Sequence, residues 1–143
     1  AAQFRSGRAV NAGDTEELIW ELLSVAAAAA EVAEGTRGGA QPPDACAEAA
    51  REALRRIDEP RPGMRPVQRL FTGDLSADDL HDALERDAGA PRDAFYAWLY
   101  LALFEHARGR RDAAARAVQR ALGAECGAED FMWSVARALA RSV

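Results

Sequence analysis

Apolar residues recur along this chain at helical spacing, and no stretch reads convincingly as a strand. Asp14 with Glu17 three residues on is a helix-start signature. Leu18, Leu22, Val25, Ala26, Ala29 and Ala33 follow at helical offsets and predict a first helix to about Glu34. Gly35 to Pro43 reads as a loop, with glycines for positive φ and prolines that cannot continue a helix. Asp44 then caps a second helix, with Cys46, Ala50, Ala53, Leu54 and Ile57 on its inner face, ending before Pro60. Arg61-Pro62-Gly63 is a turn. A short helix from about Pro66 to Thr72 carries Val67, Leu70 and Phe71. Ser76 with Asp79 opens another, bearing Leu80, Ala83 and Leu84 and ended by Gly89.

Pro91 falls in the first turn of a central helix that is apolar without a break from Ala94 to Phe104, so it needs burial around most of its circumference. At about 1.5 Å per residue this run reaches roughly half of a ~30 Å hydrocarbon core, which argues against a transmembrane span. Glu105 and His106 close the run. Gly109 ends the helix, with Arg108 and Arg110 where cations favour a helix C-terminus. Asp112 opens the next helix, whose single narrow stripe is Ala114, Ala117, Val118, Ala121 and Leu122. Its alanines permit close approach, and the rings of Phe95, Trp98 and Phe104 with Leu101 fill the gap. A last helix over Ala128 to Arg141 places Phe131, Val135, Ala138 and Leu139 on one side, flanked by Met132 and Trp133, and reads as a cap. The fold class is therefore all-α: a compact bundle of about seven helices holding one helical hairpin and a C-terminal capping helix. Its organisation is an extended arm over 1–13, a helical pair over 14–60 and a helical region over 61–143 that forms one domain with that pair.

The hairpin resembles a tetratricopeptide repeat: Trp98, Leu101, Ala102, Gly109, Ala114, Val118 and Ala121 stand at that motif's large and small positions. Two departures suggest a degenerate or terminal repeat. Glu105 replaces an aromatic residue, and Cys126 stands where proline is common. Upstream, Pro66-Val67, Leu70-Phe71, Gly73, Leu75-Ser76 and Leu80 resemble the lead-in of short tetratricopeptide-like proteins of bacteria and plastids. The likeness spans residues 65–122 and nothing before them. One hairpin falls short of the roughly three repeats a free solenoid needs, so the chain folds as a bundle or leans on a partner.

Length allows one domain that buries around two thirds of its unfolded surface. All 18 basic residues are arginine, and alanine is abundant, which points to a GC-rich coding genome. A net charge of −5 opposes a nucleic-acid partner, because phosphate contacts need a basic face. The charge is uneven: residues 51–69 are net basic and residues 74–93 net acidic, giving either two solvated faces or an oriented docking surface. Cys46 and Cys126 have no C-x-x-C neighbour, so free thiols are the default and a single bridge stays open. Residues 1–13 form a polar arm with Arg5, Arg8 and one large anchor, Phe4; its acid-free composition is compatible with a trimmed targeting segment, without an apolar signal core.

Chemistry is sparse. His81, flanked by Asp78 and Asp82, lacks a second ligand set, so no metal is expected. No serine elbow or phosphate-cradling glycine loop is present, and no cofactor is expected. The leading expectation is a non-catalytic protein–protein interaction subunit docking on a large assembly. With the resemblance, it implies an accessory subunit of a chloroplast photosynthetic membrane complex of an alga, peripheral to the membrane. A plastid location follows from that resemblance, with bacterial cytoplasm or periplasm as the alternative. A second expectation is a soluble adaptor or assembly factor whose hairpin grips a peptide through Arg108, Arg110, Arg111 and Arg116. A third is a small enzyme centred on His81. Phe4, Arg5, Arg8 and the aromatic anchors Trp20, Tyr96 and Trp133 complete the candidate contact residues.

Overall fold

The computed structural model describes residues 15–24, 26, 44–124 and 131–143. The arm with Phe4, Arg5 and Arg8, the Asp14 start signal, the Gly/Pro loop and Cys126 lie outside the described residues, as does the side chain of Cys46. Among the described residues the chain is all-α. We number the helices α1 (15–24), α2 (Asp44–Arg55), α3 (Arg65–Thr72), α4 (Ala77–Arg86), α5 (Pro91–Ala107), α6 (Arg111–Leu122) and α7 (Phe131–Ser142).

Local sequence explains most boundaries. Pro66 sits in the first turn of α3, and Gly73 at φ 90° lets the backbone turn back, so that the Asp74 N–H bonds the Arg69 carbonyl at 2.8 Å. Ser76 Oγ accepts from the Asp79 N–H at 3.0 Å and starts α4, with Asp78 and Asp79 in the positive first turn. Two boundaries differ from expectation. α2, expected to end before Pro60 with Ile57 on its inner face, already ends at Arg55, and the Gln68 side-chain amide donates to the carbonyls of both Leu54 and Ile57 at 2.7 Å. Those bonds satisfy the orphan carbonyls of the helix end from outside. α4 ends at Arg86, where Asp87 turns extended, and Gly89 at φ 83° shapes the following turn instead of terminating the helix.

α5 is the axis of the bundle. It packs on α3, α4 and α6, and most closely on α6. Phe95, Ala97, Leu99, Tyr100 and Ala102 are wholly buried, each large side chain worth roughly 1.5–3 kcal/mol of burial. The α6 stripe is buried as its spacing predicts, with Ala114, Ala117, Val118 and Ala121 at 0% exposure. Gly109 at φ 77° makes the reversal between the two helices. α7 covers α6 with Ala136 and Leu139, while Ala138, expected inward, faces solvent. Leu18, Ile19 and Leu22 of α1 and Ala50 and Leu54 of α2 close the core on the other side.

Candidate functional site

Three elements converge at the end of the α5–α6 hairpin. α4 contributes Asp78, His81 and Asp82, α5 contributes Leu101 and Glu105, and α6 with its preceding residue contributes Ala113, Arg116 and Arg110, together lining a cleft of about 260 Å³. The first turn of α4 brings Asp78 to the rim, and one further turn of the same helix brings His81 and Asp82. The sequence had assigned His81 to an enzyme reading and Arg110 and Arg116 to a peptide groove. The fold puts them in one place.

Glu105, which stands where the repeat motif has an aromatic residue, is 4% exposed, whereas neighbouring His106 is exposed. A rotation of about 100° per residue carries position 105 onto the face of Leu101, toward α4 and α6. Its Oε1 accepts no hydrogen bond. The Arg110 guanidinium stands 3.5 Å from that oxygen and 3.8 Å from Asp78, bridging α4 and α5 without bonding closely to either.

His81 packs its ring edge-on against Trp98 with centroids 5.3 Å apart. Its Nε2 lies 3.6 Å from Glu85 and its Nδ1 3.9 Å from Asp82, so both approaches are ion-pair distances without a hydrogen bond. Glu85 is instead taken up by Arg120, which donates to it at 2.6 Å and lies 5.5 Å over the Trp98 ring. Among the described residues no group of His, Cys, Asp and Glu has the arrangement to hold a metal ion.

The four hairpin arginines are all exposed. Arg108 stacks over Phe104 at 5.1 Å, and Gly109 to Ala113 with Arg116 line an open hollow of about 440 Å³ beside the first cleft. Of the aromatic candidates, Trp20 is exposed at 37% while its ring meets the edge of Tyr100. Tyr96 is half-buried beneath Arg92, whose guanidinium lies 5.3 Å from the ring. Trp133, a candidate anchor wherever it faces outward, stacks on buried Phe95 with centroids 5.4 Å apart, so much of its face is spent covering the core.

A second polar cluster was not visible in the sequence. Arg61 donates to both oxygens of buried Glu59 and, at 3.0 Å, to Glu16 of α1, whose other oxygen accepts from Tyr100 at 2.8 Å. Burial by itself would push the Glu59 carboxyl up, and the bonds from Arg61 outweigh it and hold the group below the usual range. Burial, then the Glu16 charge beside it, pushes the Tyr100 phenol far up, so it stays a donor. Glu16 and Arg61 with Gly63, Met64, Arg92, Asp93 and Tyr96 line a further hollow of about 390 Å³. Because Arg61 is bonded to both Glu59 and Glu16, this cluster reads as a tie between α1, the α2–α3 connection and α5. No described helix is long and apolar enough to cross a membrane.

Searches of protein families, curated proteins and solved structures find no match to the chain.

Proposed function

We propose that this chain is a non-catalytic protein-docking module: a tetratricopeptide-like hairpin, closed into a bundle by its own flanking helices, that joins a larger assembly through the arginine-rich end of the hairpin. The observation that carries this reading is the arginine cluster at one turn. Arg108, Arg111 and Arg116 are exposed and form no ion pair with any described residue, while Arg110 reaches over the cleft. Some arginines elsewhere are neutralised locally, as Arg51 is by Glu48 and Arg120 by Glu85, while Arg56, Arg69, Arg86, Arg137 and Arg141 are exposed without an ion pair to a described residue; what distinguishes the hairpin end is that several such groups gather beside one cleft. Uncommitted guanidinium groups beside a cleft suit carboxylate-bearing segments, which they bind through paired N–H donors. Membership of an algal photosynthetic membrane complex rests on the sequence resemblance and the arginine-only composition.

Native fractionation of source extract tests the reading. The chain, 15.4 kDa alone, should migrate with a larger particle at fixed stoichiometry, and an Arg111→Glu/Arg116→Glu variant should fall back to the free monomer. Recovery of the wild-type chain only as a free monomer overturns docking. Unchanged recovery of the variant overturns the arginine end as its surface.

A further inference from the structure

We propose that the cleft between α4, α5 and α6 is a receptor for a lysine side chain, carried by a partner segment in which acidic residues flank the lysine. The inference rests on the docking reading above and names what the cleft adds to it. Its first support is Glu105. Its oxygen Oε1 is buried, lines the cleft and accepts no hydrogen bond, being met only by the long ion pair to Arg110, so an entering donor can bond it more closely than the chain does. The nearest cation, Arg110, stays at 3.5 Å, divided between Glu105 and Asp78, with about half of its side chain in solvent. It can swing out without leaving a hydrogen bond behind.

Charge and shape select the occupant. The cleft lining holds three carboxylates, Asp78, Asp82 and Glu105, against two guanidinium groups, Arg110 and Arg116, so with His81 neutral it lacks one positive charge. Leu101 and Ala113 give it apolar wall on the way to Glu105. A slender methylene stem ending in a compact ammonium matches that profile, with the stem along apolar surface and the point donor at a single oxygen. A guanidinium matches less well, because its planar fork gains most from two coplanar acceptors. Beside the cleft, Arg111 lines the adjoining hollow that shares Arg110 and Arg116 with it, so a segment seated here also meets exposed positive charge. The lysine therefore needs carboxylates near it, which fits a segment of mixed charge and disfavours a purely basic one.

The test is titration of the isotope-labelled full chain with the capped peptide acetyl-Glu-Ala-Lys-Ala-Glu-amide, read by amide chemical shifts. Saturable shifts should centre on Asp78, Glu105 and Arg110. Acetylation of the peptide lysine, or Glu105→Gln in the protein, should each weaken binding by about tenfold or more, the usual size of a lost charge-assisted bond. Arg110→Ala should tighten binding severalfold by removing the competing cation, and so guards against reading a misfolded Glu105 variant as support. No saturable shift, equal binding of the acetylated peptide, or indifference to Glu105→Gln overturns the lysine receptor. If the wild-type chain still migrates with its assembly in an arginine-dependent way, only the lysine inference falls. If the peptide behaves as expected but the chain is always a free monomer, the docking reading falls instead.

Discussion

Arg61 clasps buried Glu59 through both carboxylate oxygens, Nε to Oε2 at 2.9 Å and Nη2 to Oε1 at 3.0 Å, and its backbone N–H adds a third bond to Oε2 at 2.9 Å. Glu59 is 2% exposed, so removing the guanidinium that pairs it would strand a charge in the interior. Arg61→Met should therefore destabilise the fold by about 3–5 kcal/mol in urea unfolding. Glu59→Gln/Arg61→Met, which removes both charges, should recover much of that loss. A single variant as stable as wild type would mean that the pair ties nothing together.

The same pair sets an acid limit. The Glu59 carboxyl titrates below its ordinary 4.5 in the folded chain, so folding is favoured by its ionised form. That contribution is complete above the unfolded value and fades as the pH falls through the folded one. Thermal melting followed from about pH 6 down to about pH 2 should show a steeper fall for wild type than for Glu59→Gln, which starts less stable and has less to lose. Parallel curves would assign the acid sensitivity to other carboxylates.

Much of the fold was legible in the sequence because its information is local. The small stripe of α6, the Ser76 cap and the Gly109 reversal each depend on residues a few positions apart; the rings of α5, expected against that stripe, instead make their ring contacts with Phe71, His81 and Trp133 of other helices. Glu59 and Arg61 were illegible for the opposite reason: their cluster is completed by Glu16, 45 positions from Arg61, and Tyr100, 84 positions from Glu16. Counted within residues 51–69 they were simply surface charges. The cleft was half legible. His81, Arg110 and Arg116 had each been marked, and Glu105 had been noted as an acid in place of an aromatic ring. That they meet follows from the path of α4 across the hairpin, which no local pattern encodes.

Close packing at the start of α5 makes Gly63 a sensitive position. A Cβ built there would lie 2.8 Å from the Asp93 Cβ and 2.9 Å from its Cα, against backbone that cannot turn aside as a flexible side chain would. Gly63→Ala should cost about 1–3 kcal/mol, the range for overpacking. Gly73→Ala meets no atom within 4 Å but is strained at φ 90°, so its cost should be independent of any change at Asp93. Equal stability of Gly63→Ala and wild type would show that the turn over 61–63 does not sit tightly on α5.

The hairpin depends on small residues in α6, and this can be tested by size alone. Ala117 is wholly buried, whereas Gln119 on the same helix is exposed. Ala117→Leu should therefore destabilise by roughly 1–3 kcal/mol, since α5 and α6 would have to separate to admit it. Gln119→Leu should stay within about 0.5 kcal/mol of wild type. If both substitutions are tolerated alike, the alanine stripe is helix propensity and not an interface.

Glu105 gives the sharpest contrast between stability and binding. A buried carboxylate oxygen without a hydrogen bond weakens the fold, and its nearest cation, Arg110, is half in solvent and survives alone. Glu105→Met keeps an unbranched side chain of similar length and removes that liability. Replacing buried charge by apolar groups is often neutral or stabilising, so the variant should gain about 1 kcal/mol in urea unfolding and melt roughly 2–8 °C higher. Its lysine-peptide shifts should vanish together with that gain. Such a pairing is what a residue held against the interest of the fold produces. A variant less stable than wild type would mean that the carboxylate is a structural bond to the hairpin turn, and the cleft would lose its waiting acceptor.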